Sequence, residues 1–148
     1  MLRYGISKTL DVPIQYAYLW LTDFRTDDLM MVGSPLPRHI LRKGKGEFVW
    51  IHHYRKDGLE REGVRLVTLK PPNAWHNEAI NDEKDMIFDY RLTRVGKSRT
   101  KITITVKATY RTIEPEVRSE LEKHLGADWD KYKAALESAY SSGKAATD

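Results

Sequence analysis

Residues 86–111 read MIFDYRLTRVGKSRTKITITVKATYR, and their alternation decides the architecture. Ile102, Ile104, Val106, Ala108 and Tyr110 fall on one side of an extended segment. Lys101, Thr103, Thr105, Lys107, Thr109 and Arg111 fall on the other. A period of two marks a strand with one buried face, and a slip of one residue would invert the whole set, so the register is specified. The preceding segment agrees: Met86, Phe88, Tyr90 and Leu92 alternate with Ile87, Asp89, Arg91 and Thr93. Between them Gly96-Lys97-Ser98 is a tight-turn cluster, so the two strands make an antiparallel hairpin.

The same texture extends back to His39. Turn clusters at Gly44-Lys45-Gly46, Asp57-Gly58, Pro71-Pro72-Asn73 and Asn81-Asp82 separate segments rich in β-branched and aromatic residues. Six strands joined by short turns are predicted from His39 to Arg111. Residues 2–12 alternate weakly and supply a seventh. Asp11 is placed to cap a helix that Pro13 opens and that runs to Phe24, with Ile14, Ala17, Tyr18, Leu21 and Phe24 at helical spacing. A second short helix is predicted over Arg25–Met31. The Gly33–Pro37 breaker cluster ends it and permits a hinge there.

At the other end, Pro115 is predicted to open a long helix. Val117, Leu121, Leu125, Trp129, Tyr132, Leu136 and Tyr140 make one stripe along it, and Gly126 interrupts the stripe at a cost of about 1 kcal/mol relative to Ala. The polar tail after Tyr140 is expected to fray. Seven antiparallel strands with one apolar face must cover that face. The long helix has the length and the stripe to do it, and a curved sheet around a single helix leaves space unless large side chains fill it.

The 148 residues are 41% hydrophobic, enough for one core, and a single domain is expected over residues 1–141 with a polar tail at 142–148. The absence of cysteine excludes disulfides, thiolate metal sites and cysteine nucleophiles. Lys and Arg total 25 against 21 Asp and Glu, a net charge of +4 that only weakly favours an anionic partner. The opening MLRYGISKTLDVP has no apolar core of the signal-peptide kind, and Ile14–Leu21 is too short to span a bilayer, so a cytoplasmic location is expected.

The order of elements, the opening YGISKTLDVPIQYAYLWLTDF with Trp20 and Phe24 near the helix end, and the final amphipathic helix resemble the START-like or Bet v 1-like superfamily (SRPBCC). Its polyketide cyclase/dehydrase and lipid-transfer branches are included. The resemblance implies an α+β helix-grip fold: a seven-stranded curved antiparallel sheet wrapped around the C-terminal helix, with two short helices after the first strand. It also implies a cavity between sheet and helix. Members bind lipids, sterols, polyketides or other apolar small molecules, and a minority catalyse reactions on them. No motif here transfers a catalytic role.

Alternation then nominates the pocket residues. After Gly46, Phe48, Trp50, His52 and Tyr54 form the bulkier face and are assigned inward. On the next strand Val64, Leu66 and Thr68 are assigned inward, with Arg65 and Lys70 outward. On the fifth, Trp75, Asn77 and Ala79 balance almost evenly against His76, Glu78 and Ile80, and Trp75 and Asn77 are assigned to the pocket. Phe88, Tyr90, Ile104, Val106 and Tyr110 follow from the hairpin above, and Leu125, Trp129 and Tyr132 from the helix stripe. Twelve of the 15 aromatic rings are Tyr or Trp, whose polar atoms need partners when buried. Such rings either line a cavity for a partly polar ligand or fill the core and bond to backbone.

Chemistry is sparser. His52 and His53 point to opposite faces of a strand and cannot chelate one metal together; no spacing among the five histidines marks a metal site, and no cofactor is expected. His52, Tyr54 and Tyr90 are the weak catalytic candidates, as acid or base. Glu62 has the parity of Val64 and is a candidate inward carboxylate, or a solvated residue near a turn. Arg38, Arg42, Lys43 and Lys45 cluster at one hairpin, either as a charged edge or as a site for phosphate or a lipid head group. No nucleic-acid-binding motif is present. The leading reading is a non-catalytic module for a hydrophobic or amphipathic small molecule. The rivals are a cyclase- or dehydratase-type enzyme and an interaction domain with a filled core.

Overall fold

The computed structural model describes residues 1–24 and 39–146. The strands are β1 (Leu2–Leu10), β2 (His39–Lys43), β3 (Glu47–Lys56), β4 (Leu59–Lys70), β5 (Ala74–Ile80), β6 (Lys84–Val95) and β7 (Arg99–Tyr110). The helices are α1 (Ile14–Leu21) and α2 (Arg118–Ser141). All seven strands form one antiparallel sheet in the order β1-β7-β6-β5-β4-β3-β2. The chain thus has the helix-grip arrangement expected, with each of the five turns where its turn cluster lies. The second short helix, over residues 25–31, and the Gly33–Pro37 hinge lie outside the described residues.

The β6–β7 register sets the inner face. Phe88 pairs with Val106, Tyr90 with Ile104 and Leu92 with Ile102, and all six side chains are buried. Across β7, Val106 pairs with Tyr4 and Ile104 with Ile6. The core lies on this face, beneath α2.

Three polar ties anchor α2 to β1 and the residue after it. Lys8 Nζ lies 2.7 Å from Asp130 Oδ1. Lys133 Nζ donates to the Thr9 carbonyl at 2.8 Å. The Asp11 amide donates to Glu137 Oε2 at 2.6 Å. Asp11 therefore does not cap α1: Pro13 occupies the cap position without a side-chain bond, and the Asp11 carboxylate instead accepts from Arg99 Nε at 3.0 Å. α1 ends at Leu21 with Thr22 as its C-cap, three residues short of Phe24, whose backbone is left-handed (φ 47°). The Phe24 ring then packs against Phe48 and Trp50 at 5.0 and 5.4 Å.

α2 starts three residues after Pro115, with Val117 at its cap and 62% exposed, so the buried part of the stripe begins at Leu121. Two contacts reach the polar tail as far as Ala146. Tyr16 Oη donates to the Lys144 carbonyl at 3.0 Å, and Ala146 packs on the core.

Two glycines test the close approaches. A Cβ on Gly5 would sit 2.6 Å from the Ile104 carbonyl oxygen, inside contact distance of rigid backbone. A Cβ on Gly126 would lie 3.7 Å from Lys8 Nζ, an ordinary contact with a flexible side chain. Gly5→Ala is expected to cost about 1–3 kcal/mol by overpacking, while Gly126→Ala is expected to gain up to about 1 kcal/mol in helix propensity. Urea denaturation of the two variants checks both signs.

Candidate functional site

α2 leans over β1, β7 and the middle of β6, where Trp129 meets Tyr90 at 5.9 Å and Tyr132 at 5.1 Å. The inner face of β3, β4 and the far half of β5 and β6 is left less covered. A cavity of about 530 Å³ lies there, bordered by His52 and Tyr54 from β3, Gly63 and Arg65 from β4, Ala79 from β5 and Met86 from β6. Glu116, before α2, and His124 on it border the cavity from the helix side.

The β3–β4 hairpin decides which side chains reach it. Lys56 pairs with Leu59 across the two-residue turn, and the ladder then pairs Trp50 with Arg65 and Phe48 with Val67. Cross-strand partners share a face, so the inner face of β4 carries Gly63, Arg65, Val67 and Leu69. This corrects the sequence assignment. Val64, Leu66 and Thr68 stand on the opposite face, with Ile51, Val49 and Glu47 as their β3 partners. Val64, 37% exposed, borders the cavity from that outer register. Arg65 faces in because its guanidinium lies over the Phe88 ring, 5.5 Å from the centroid, where the cation gains from the π face. Glu62 likewise faces out, 3.6 Å from His53 Nδ1.

The other nominated residues fall into two groups. His52 and Tyr54 come together, their rings stacked 5.7 Å apart at the cavity wall. Trp50, Trp75, Phe88, Tyr90, Ile104, Val106 and Trp129 belong to the buried cluster, with Leu125 and Tyr132 packed on it. Tyr90 stacks on Trp75 at 4.7 Å and lies six residues of strand, about 20 Å, from His52 along the sheet. It is not part of one catalytic group with His52 and Tyr54. Asn77 is buried on the inner face beside Phe88 and Val67, and its Oδ1 has no hydrogen-bond partner. Tyr110 stands at the sheet end, its hydroxyl donating to Glu116 Oε1 at 3.3 Å.

Charged groups that alternation did not nominate gather at the open end of the cavity. Glu83 is buried there, and its Oε1 accepts from Lys56 Nζ at 2.6 Å. That bond holds the Lys56 ammonium above the usual lysine range. Lys84 pairs with Glu116 and lies over the Tyr110 ring, 5.6 Å from its centroid. The Tyr54 hydroxyl is buried beside these pairs without a hydrogen-bond partner. Burial first, then the carboxylates of Glu83 and Asp82, push its acidity below that of a free phenol, so it stays a neutral hydroxyl able to donate and to accept a hydrogen bond. Among the described residues no group of His, Asp or Glu is placed to hold a metal ion, and no helix is long and apolar enough to cross a membrane.

No family model and no curated protein matches the sequence. Solved structures do match in shape. The Zhui aromatase/cyclase from Streptomyces sp. R1128 superposes with a TM-score of 0.75 over 94% of this chain and 95% of that one, at 15% identity. A START superfamily protein from Mycobacterium smegmatis gives 0.67 over 92% and 94%, at 10% identity. Ginseng major latex-like protein 151 from Panax ginseng gives 0.69 over 91% and 97%, at 10% identity. The chain has the fold of the START-like and Bet v 1-like superfamily.

Two outcomes follow from the unpaired and buried phenols. Tyr54→Phe removes a buried hydroxyl that satisfies nothing, so the ligand-free protein is expected to gain about 1 kcal/mol in urea denaturation. Tyr4, buried on the inner face, has its pKa raised chiefly by burial above the ordinary phenol value of 10.0. A raised folded pKa means that the folded state holds its proton more tightly. The stabilisation is then complete below about pH 10 and is lost as pH climbs toward the folded value. Stability is expected to fall above about pH 10, and Tyr4→Phe to flatten that fall, as read from urea midpoints across the alkaline range.

Proposed function

We propose that this protein binds or carries a hydrophobic or amphipathic small molecule, lipid-like or polyketide-like, in the cavity between the sheet and α2, without transforming it. The observation that carries the reading is the 530 Å³ cavity whose wall mixes apolar Ala79 and Met86 with the buried, unpartnered Tyr54 hydroxyl. Ligand pockets have volumes of roughly 300–1,000 Å³, with a few polar groups fixing orientation. An apolar body would lie along Ala79 and Met86, and a small turn of the Tyr54 ring would bring its buried, unpartnered hydroxyl to a polar group of the ligand. The location proposed is the cytoplasm, in keeping with a chain that has no cysteine.

The stacked His52 and Tyr54 favour a second reading, in which the same site performs cyclase- or dehydratase-type acid–base chemistry on its ligand. Tyr54 would serve there as a proton donor or hydrogen-bond donor, since burial disfavours its anion. One of the matching structures is titled an aromatase/cyclase.

Native mass spectrometry of freshly purified protein, followed by a panel of fatty acids, sterols and polycyclic aromatics, tests the first reading. A retained or added mass is expected, and Tyr54→Phe is expected to weaken it about tenfold through one lost hydrogen bond. Absence of any bound mass across the panel overturns the proposal. Turnover of a bound ligand that His52→Gln abolishes would replace it with the enzymatic reading.

A further inference from the structure

The end of the molecule away from the cavity's charged mouth has an organisation that ligand binding does not use. The β2–β3, β4–β5 and β6–β7 turns all lie at this end, because the sheet is a meander. The Leu69 amide bonds the Gly46 carbonyl and the Leu92 amide bonds the Asn73 carbonyl, each at 2.8 Å, which ties neighbouring tips together. α1 runs across all three. Ile14 and Gln15 share a small hollow with Gly96 and Lys97 at the third tip. Tyr18 Oη donates to the Ala74 carbonyl beside the second, at 3.1 Å. The Asp23 carbonyl, just past the helix, accepts from Lys43 Nζ at the first, at 3.0 Å.

This end is basic. Lys43 and Lys45 stand at the first tip, Lys70 at the second, and Arg94, Lys97 and Arg99 at the third, all exposed. Among the described residues, the acids nearby are Glu47, Asp23 and Asp11, and Asp11 is engaged with Arg99. Among the described residues, Lys45, Lys70, Arg94 and Lys97 have no ion-pair partner. At the opposite end the cations are matched: Arg55 with Glu60, Lys56 with Glu83 and Arg61 with Asp82. A cation cluster without partners at one end of a chain with a net charge of only +4 is a directed charge distribution, not a diffuse one.

Amid the charges, apolar side chains face water. Leu19 on α1 is 49% exposed and Val95 at the third tip is 39% exposed. Aliphatic side chains in a ring of lysines and arginines suit the head-group boundary of an anionic bilayer, where the chains bury and the cations meet phosphate. A single-stranded nucleic acid would reward exposed aromatic rings instead, and a duplex would have no use for the exposed Leu19 and Val95. Tyr140, the one Phe, Tyr or Trp ring exposed among the described residues, is packed edge-on against Tyr16 at 4.8 Å.

We infer that the α1 end, with its three basic hairpin tips, docks on an anionic lipid surface. The contact is peripheral and reversible, carried by unpaired lysines and arginines and seated by Leu19 and Val95. It does not require an occupied cavity, so its failure and that of the binding reading are separable.

Co-sedimentation of the ligand-free protein with vesicles tests it. Binding is expected to vesicles of phosphatidylcholine with phosphatidylserine and not to phosphatidylcholine alone, and it should weaken strongly between about 0.05 and 0.5 M salt. The triple variant Lys45→Gln, Lys70→Gln, Lys97→Gln is expected to reduce partitioning roughly 100-fold, at about fivefold for each cation near the surface. Arg3→Gln, Lys107→Gln, Lys123→Gln removes the same charge elsewhere and is expected to leave it within about twofold. Leu19→Glu is expected to weaken binding further. Circular dichroism of each variant confirms the fold. No binding to phosphatidylserine vesicles, an equal effect from the two triple variants, or tighter binding to duplex DNA than to the vesicles would overturn the inference.

Discussion

A mismatch of widths governs this molecule. Seven strands spaced about 4.8 Å apart make a sheet on the order of 30 Å across, and one helix about 10 Å across has to cover its inner face. α2 cannot lie over all of it. The ties from Lys8, Thr9 and Asp11 to α2 draw the helix to the β1 side. Trp129, Tyr90 and Trp75 then fill the middle as a stack of large rings. What remains lies against β3 and β4, and that is where the 530 Å³ cavity is found. The cavity is thus a consequence of helix placement and not a gap in an otherwise complete core.

The same geometry accounts for the polar groups around it. A fully dry cavity would make Arg65, Glu83 and Tyr54 costly neighbours. Arg65 is accommodated over the Phe88 ring, and Glu83 by Lys56. These groups are retained where the helix does not press on the sheet and water or a ligand has access. Tyr54 differs from them in having its hydroxyl buried and unpaired. A carrier for a purely aliphatic guest would gain nothing from that hydroxyl; a guest with a hydroxyl, carbonyl or carboxyl group would satisfy it.

The fold was legible because its decisive signals are local. Turn clusters placed every hairpin, and strict alternation in Lys101–Arg111 fixed the buried face of β7. β4 misled for a physical reason. It carries aliphatic residues on both faces, Val64 and Leu66 outside and Val67 and Leu69 inside, while Arg65 sits on the inner face. Counting apolar positions and expelling the arginine therefore chose the wrong parity. The missing signal was the turn: a two-residue Asp57-Gly58 loop forces Lys56 opposite Leu59, and counting back places Arg65 opposite Trp50, on the face already assigned inward. The polar mouth was harder to foresee. Glu83, Glu116 and His124 reach the cavity from a turn, a linker and a helix, and no periodicity joins such residues.

Sequence identities of 10–15% with TM-scores near 0.7 are what this division of labour predicts. The sheet asks for alternation, register and a few close backbone approaches such as Gly5 against Ile104, and many sequences supply those. The cavity wall is under a weaker demand, since its side chains meet one another in a few pairs, such as His52 with Tyr54 and Lys56 with Glu83, and border space on their other side. The residues that set the fold, in the β6–β7 hairpin and the β1–α2 ties, are therefore different from those that line the cavity around Tyr54. Shape agreement with a cyclase carries the first set across and says little about the second. His52, Arg65 and the Lys56–Glu83 pair have to be judged on their own geometry. That geometry sets the His52 imidazole stacked 5.7 Å from the Tyr54 ring, with the Tyr54 hydroxyl buried and without a hydrogen-bond partner.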